Sequence, residues 1–214
     1  MTQEYSGTSL HFLKQETAVI LPGPSGFKEL HTERLILRLF RPDNDEDAAQ
    51  LFRTRARQDV MVWLRSKAPD SSPSDTKKWM HNKVFHTPDG SGAVGNRHFY
   101  FLVFRKDSNS TKPTLKEDSI GAVGIGSIDP APALGYMFHP DAWGKGYATE
   151  AVRAVVEAWW ELPRAWDFND ERLFSAVKWA NLGSLRVLEK VGFEVFEYGH
   201  ASEKLAFMSM GRPQ

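Results

Sequence analysis

At 34–40 the chain reads RLILRLF, with apolar and polar positions interleaved as in a half-buried strand. The run PDNDED at 42–47 predicts a helix start, because acidic side chains complement the positive end of the helix dipole. Ala48, Leu51 and Phe52 supply that helix with one apolar stripe. Ser72 to Asp75 form a capping-box pattern with proline at the first helical position, and the helix they open would bury Trp79, Met80 and Val84. Strands follow at 98–104 and 120–128, separated by the polar stretch 105–118, which reads as a long hairpin loop; 87–96 reads as another loop. A short strand is expected at 134–138. The pattern over 147–161 is the clearest in the chain. Glu150, Arg153, Glu157 and Glu161 fall on one solvated stripe of an otherwise apolar helix, which Pro163 ends. After a strand at 172–177, Asn181 is a natural N-cap, Leu185, Val187, Leu188 and Val191 line a helix, and Gly192 stops it. Strands at 193–198 and 205–210 close the chain. This order predicts an α/β (α+β) domain with one mixed sheet of about seven strands and about four helices.

A length of 214 residues fits one domain. The segment LPGPSG at 21–26 sets off residues 1–28 as an N-terminal extension, although Val19, Ile20 and Leu21 are apolar enough to pack; 29–214 is the domain. Lysine plus arginine and aspartate plus glutamate both number 27, so no bulk attraction to nucleic acid or an anionic membrane is expected. No apolar run approaches the ~18 residues of a membrane span, and the N-terminus lacks the pattern of a signal peptide. The absence of cysteine removes disulfides, thiolate metal sites and a cysteine nucleophile, and fits a cytoplasmic setting. The seven histidines form no H-x-x-x-H pair, so no metal site is expected. Trp159, Trp160, Trp166 and Trp179 are read as core.

The candidate chemistry lies at 133–151, ALGYMFHPDAWGKGYATEA. A strand runs into a glycine turn, and the turn into a long helix. Gly144 and Gly146 can adopt angles closed to other residues, and a helix N-terminus with Lys145 beside it would bind phosphate. The same residues also fit a tight turn. A Walker loop is excluded, because Lys145 is followed by Gly146. The glycines of GAVGIG at 121–126 have the wrong spacing for a dinucleotide fingerprint and read as close strand packing.

The stretch 143–148, WGKGYA, resembles motif A of the GNAT superfamily of acyl-CoA N-acyltransferases, with tryptophan at its first position. WGKGYATEA, HTERLILR at 31–38, LGYMFHP at 134–140 and NLGSLRVLEKVGF at 181–193 are similar to the branch that includes ribosomal-protein-alanine N-acetyltransferases. The resemblance spans about residues 30–210. It implies transfer of an acetyl group from acetyl-CoA to a primary amine, on a small molecule or a protein N-terminus, by direct attack in a ternary complex.

It also assigns roles. Trp143, Gly144, Lys145, Gly146, Tyr147 and Ala148 would hold the pyrophosphate, largely through backbone N–H groups. Met137, Phe138 and His139 would hold the pantetheine arm as an added strand, with Asn181 positioning it. The family's tyrosine proton donor falls at Leu188, so Ser184 is expected to donate to the sulfur instead. Ala133 stands where the branch often has a glutamate base; Asp129 is the substitute, with His139, Glu33 and Tyr136 behind it. Trp63 and Trp79, with Phe85, are candidates for acceptor contacts. The closing strands would allow a homodimer. The competing reading is a CoA-binding regulatory or interaction module with a decayed site, which Ala133 and Leu188 favour.

Overall fold

The strand expected at 34–40 forms, as β2 of a single sheet. The computed structural model of the chain describes residues 15, 17–23, 26–66, 68–95, 97–106, 115–167, 170–199 and 204–213. β1 (Leu30–His31) and β2 (Leu35–Leu39) lead to three helices, α1 (Asp45–Arg55), α2 (Gln58–Met61) and α3 (Pro73–His81). Then come β3 (Phe99–Lys106), β4 (Leu115–Ser127) and β5 (Ala133–Phe138), followed by α4 (Tyr147–Glu161), β6 (Arg172–Lys178), α5 (Leu182–Val191), β7 (Glu194–Gly199) and β8 (Leu205–Gly211). The sheet order is β1-β2-β3-β4-β5-β6-β8-β7. Every neighbouring pair is antiparallel except β5 and β6. The described residues therefore hold eight strands and five α-helices, against the seven and four expected. The additions are the two-residue β1 and the one-turn α2, both too short to show a period.

The helix starts follow their caps. Asn44 accepts from the Asp47 N–H at α1, and Ser72 from the Asp75 N–H at α3. Asp47 does more than complement the dipole: its carboxylate is fully buried and takes Arg38 at 2.8 Å and Arg41 at 2.6 Å. Two cores lie on the two faces of the sheet. Val155, Trp159 and Leu188 from α4 and α5 pack with Phe99 and Phe101 on one face. Leu51 and Met80 from α1 and α3 pack with Tyr100 and Leu102 on the other.

The glycines at 121–126 serve close packing, as expected. A Cβ on Gly121 would stand 2.3 Å from the Met137 carbonyl oxygen, and one on Gly124 2.2 Å from that of Phe99. Trp159 and Trp160 are buried, but Trp166 and Trp179 are exposed. Both lie outside helix and strand. Part of the N-terminal extension is built into the body. Val19 bridges to Arg164, the Ile20 N–H donates to the Pro163 carbonyl, and the Leu21 N–H to Asp89 at 2.9 Å. Val19 and Leu21 are buried at the end of α4. Of the loop expected at 105–118, β3 and β4 take both ends, pairing Lys106 with Leu115; 107–114 lie outside the described residues. Among the described residues no helix is long and apolar enough to cross a membrane.

Candidate active site

β5 stays paired with β4 as far as Phe138, yet meets β6 at a single register pair, Ala133 with Phe174. The Phe174 N–H donates to the Pro132 carbonyl at 2.9 Å, and the Ser175 hydroxyl to the Leu134 carbonyl at 3.1 Å. Beyond that point the two parallel strands part. A cleft of about 650 Å³ opens between them. Leu134, Gly135 and Met137 line one wall, and residues 175–178 the other. One end is the loop at Trp143, Gly144 and Gly146; the other emerges at Val60, Trp63 and Leu64, beside α2.

The loop is shaped by two left-handed glycines, Gly144 at φ 70° and Gly146 at φ 80°. Gly146 is the N-cap of α4 and brings no side-chain cap. The first N–H groups of α4 therefore have no intrahelical acceptor and are open to an anion. The Trp143 indole donates to the Phe138 carbonyl at 2.8 Å, tying the loop to the end of β5. Arg34 braces it from outside: it donates to the Lys145 carbonyl at 3.0 Å and lies over the Tyr147 ring at 4.7 Å. It also pairs with Glu150 at 2.7 Å. Glu150 was expected in solvent with the rest of its stripe. Instead it is partly buried and accepts from Thr32 at 2.6 Å and the Arg34 N–H at 2.8 Å. Burial pushes its carboxyl up, but these bonds outweigh burial and hold it below its ordinary value.

On the α5 side, Asn181 caps the helix, its side-chain oxygen taking the Ser184 N–H at 3.1 Å, and both residues line the cleft. The Tyr136 hydroxyl donates to the Ser184 carbonyl at 3.1 Å. Burial pushes that hydroxyl up to about 12, so Tyr136 stays a neutral donor and cannot accept a proton near neutrality. The charged residues lining the cleft, among those described, are Lys178, Arg186 and Lys190, all cationic.

Among the sequence candidates, Met137, Phe138, Trp143, Gly144, Gly146, Ala148, Asn181, Ser184 and Trp63 come together along this cleft. Lys145 is exposed, and the Tyr147 ring turns to Arg34. His139 caps the short turn Pro140–Ala142 and faces Asp141. Asp129 and Glu33 are exposed residues that do not line the cleft. Trp79 does not line it either; it packs against Tyr100 beneath Arg55. Sequence reasoning missed the β6 wall at 175–178. The one available signal was its place just before Asn181.

A family model described as Acetyltransferase (GNAT) domain matches residues 34–194. Among solved structures, a GNAT-family acetyltransferase from Bacillus anthracis is 18% identical with a TM-score of 0.63, covering 87% of this chain and 100% of its own. RimL, a ribosomal L7/L12 alpha-N-protein acetyltransferase in complex with coenzyme A, is 14% identical with a TM-score of 0.62, over 86% of this chain and 98% of its own. The aminoglycoside acetyltransferase AAC(6')-Ib, also in complex with coenzyme A, is 18% identical with a TM-score of 0.56, over 83% and 95%. At these identities the likeness is one of fold.

Proposed function

Because the chain belongs to the GNAT acetyltransferase family and is an N-acetyltransferase, we propose that it moves the acetyl group of acetyl-CoA to a primary amine by direct attack within a ternary complex. One observation carries this reading: β5 parts from β6 directly beside an uncapped helix N-terminus, within one cleft. The residues present fit acetyl-CoA. The loop offers unpaired N–H groups for a pyrophosphate, the unpaired edge of β5 offers backbone groups for the pantetheine amides, and the cationic lining suits a polyanion.

When bound, acetyl-CoA supplies an activated acyl carbon and a thiolate leaving group. The backbone N–H groups of residues 144–148 hold the phosphates. Met137 and Phe138 orient the arm, and Asn181 fixes the helix end against it. The Ser184 hydroxyl, which makes no hydrogen bond to another described residue, is free to donate to the sulfur. No carboxylate lines the cleft among the described residues, so the proton of the attacking amine leaves through water rather than by a direct base. Two structural neighbours bind coenzyme A, and by name they act on a ribosomal protein N-terminus and on aminoglycosides. Both kinds of acceptor present an amine, which supports the amine acceptor here. With acetyl-CoA as donor, we place the enzyme in the cytoplasm.

The test is thermal unfolding with acetyl-CoA, CoA, ATP and NAD. A ligand at a hundredfold excess over its dissociation constant stabilises by about 2.7 kcal/mol, a rise in Tm of about 5–10 °C. Both CoA species should give it and ATP and NAD should not; no shift with either CoA species overturns the reading. Amine-dependent thiol release then separates catalysis from binding alone.

A further inference from the structure

Lys83 is a cation without a counterion. Its Nζ lies 5.0 Å from the Trp79 ring centroid and 6.0 Å from that of Tyr100. No carboxylate and no hydrogen-bond acceptor meets it among the described residues. The charges that act on it are Arg55 and Arg65, both positive, and Arg55 is itself spent on Asp70 at 2.7 Å. Burial lowers its pKa, and the two arginines lower it further. Lys83 is only partly buried, and an ammonium drawn partly out of water with no anion beside it leaves a charge that a ligand's anion can pair.

The position fits that role. A Cβ on Gly126 would stand 3.2 Å from Nζ. Gly126 falls between the pairs Ile125–Leu134 and Ser127–Ala133, so the ammonium lies over β4, the strand beside the place where β5 leaves β6. Tyr100 reaches the same place. Its hydroxyl is 3.4 Å from where a Cβ of Gly135 would be, Gly135 lines the cleft, and the hydroxyl makes no hydrogen bond to another described residue. Gly126 and Gly135 bring no side chain to this face of the sheet, and the Lys83 ammonium and the Tyr100 hydroxyl stand over them. The result is a stretch of floor, reaching the cleft at Gly135, that carries an ammonium and a phenol with no hydrogen bond to another described residue.

We propose that this floor is the recognition subsite for the acceptor, and that the acceptor amine is carried by a molecule with a carboxylate that pairs with Lys83 and takes a hydrogen bond from Tyr100. The placement of the amine rests on the acetyl-transfer reading; the carboxylate subsite does not. The carboxylate comes either from a free amino acid or from an acidic residue close behind a peptide N-terminus.

The test is calorimetric titration of the full chain, alone and saturated with CoA. The probes are N-acetyl amino acids, their carboxamides, and N-acetyl dipeptides with an acidic or neutral second residue. At least one carboxylate probe should bind, with its carboxamide at least tenfold weaker. Lys83→Met, which keeps the volume, should lower the carboxylate affinity to the carboxamide level while leaving CoA affinity and Tm intact, and Lys83→Arg should restore most of it. Preference for amino acids or for acidic dipeptides identifies the source. Failure of every carboxylate probe to bind overturns the proposal, as does equal binding of acid and amide, or a Lys83→Met protein that still discriminates. If carboxylates bind through Lys83 but acetyl-CoA does not bind, the subsite stands and the acetyl-transfer reading falls; the reverse pattern sinks only the subsite.

Discussion

Glu150 lies in the first turn of α4, where its charge favours the helix dipole, and its three hydrogen-bond donors all come from Thr32 and Arg34 before β2. It therefore ties one end of the sheet to the loop that precedes α4. Arg34 is half in solvent, which discounts the ion pair, so Glu150→Ala should cost about 1 kcal/mol and lower Tm by about 2–4 °C. Its carboxyl is held below the ordinary 4.5, so its contribution is complete above that pH and disappears as pH falls through the lower folded value. A Glu150→Gln protein should show a flatter acid limb in a Tm-against-pH series. The glycines of the loop separate strain from crowding. Gly144→Ala meets nothing within 4 Å and should cost only the left-handed penalty, about 1 kcal/mol. Gly146→Ala pays that penalty and also sets a methyl 3.3 Å from the Arg34 guanidinium, so denaturant midpoints should rank it the less stable. Asp47 is the most exacting residue. Burial raises its carboxyl, but Arg38 and Arg41 hold it below the usual value, and Asp47→Ala would take the buried anion from Arg38 and leave Arg41 with Glu46 at 3.6 Å. Arg41 is half in solvent and Arg38 partly so, and a loss of about 2–3 kcal/mol is expected in urea unfolding.

Among the elements, α5 combines a structural and a proposed functional role in one side chain. Asn181→Ala should lose the cap, about 1 kcal/mol, and also weaken acetyl-CoA binding. Asn181→Asp keeps a capping oxygen, so its Tm should hold, while a new negative charge among Lys178, Arg186 and Lys190 should still change the affinity. If the two variants differ in Tm and bind acetyl-CoA like the parent, Asn181 is a cap and nothing more. Ser184→Ala should lower turnover with little change in stability, since only its backbone is engaged; unchanged kcat would remove the serine from the mechanism. Helices α3, α4 and α5 and the glycine turn were legible in the sequence because caps, period and stop signals act over a few residues. The fate of Glu150 was not, because its partners are more than a hundred positions away and a helical stripe records only its own face. Asp129 was singled out from the turn beside it, yet it is exposed and does not line the cleft. Trp79 was singled out as an aromatic near the acceptor end; the ring instead packs under Arg55 and against Tyr100, with the Lys83 ammonium 5.0 Å from its centroid. The register that sets Tyr100 beside Gly124, and Gly124 beside Gly135, belongs to pairing between strands, which no local pattern encodes.

At the scale of the molecule, the two faces of the sheet carry separate cores, and the cleft passes between the strands to connect them. The extension at 17–21 clamps the far end of α4 while Arg34 and Glu150 hold the near end, so the helix that bears the phosphate loop is fixed at both termini. The sheet itself is fixed less evenly. Strands β1 to β5 form one ladder and β6, β8 and β7 another, and the two ladders share a single register pair. Their spacing along the cleft is left to helix packing and to contacts such as the Lys178 ammonium on the Val62 carbonyl at 2.7 Å. A strand in the interior of a sheet is ordinarily its slowest region to exchange amide protons with solvent. Here β5 beyond Leu134 has a ladder on one side only, so its amides facing the cleft should trade hydrogen for deuterium as readily as those of a sheet edge, and an extended ligand lying along β5 should slow them as a sixth neighbouring strand would.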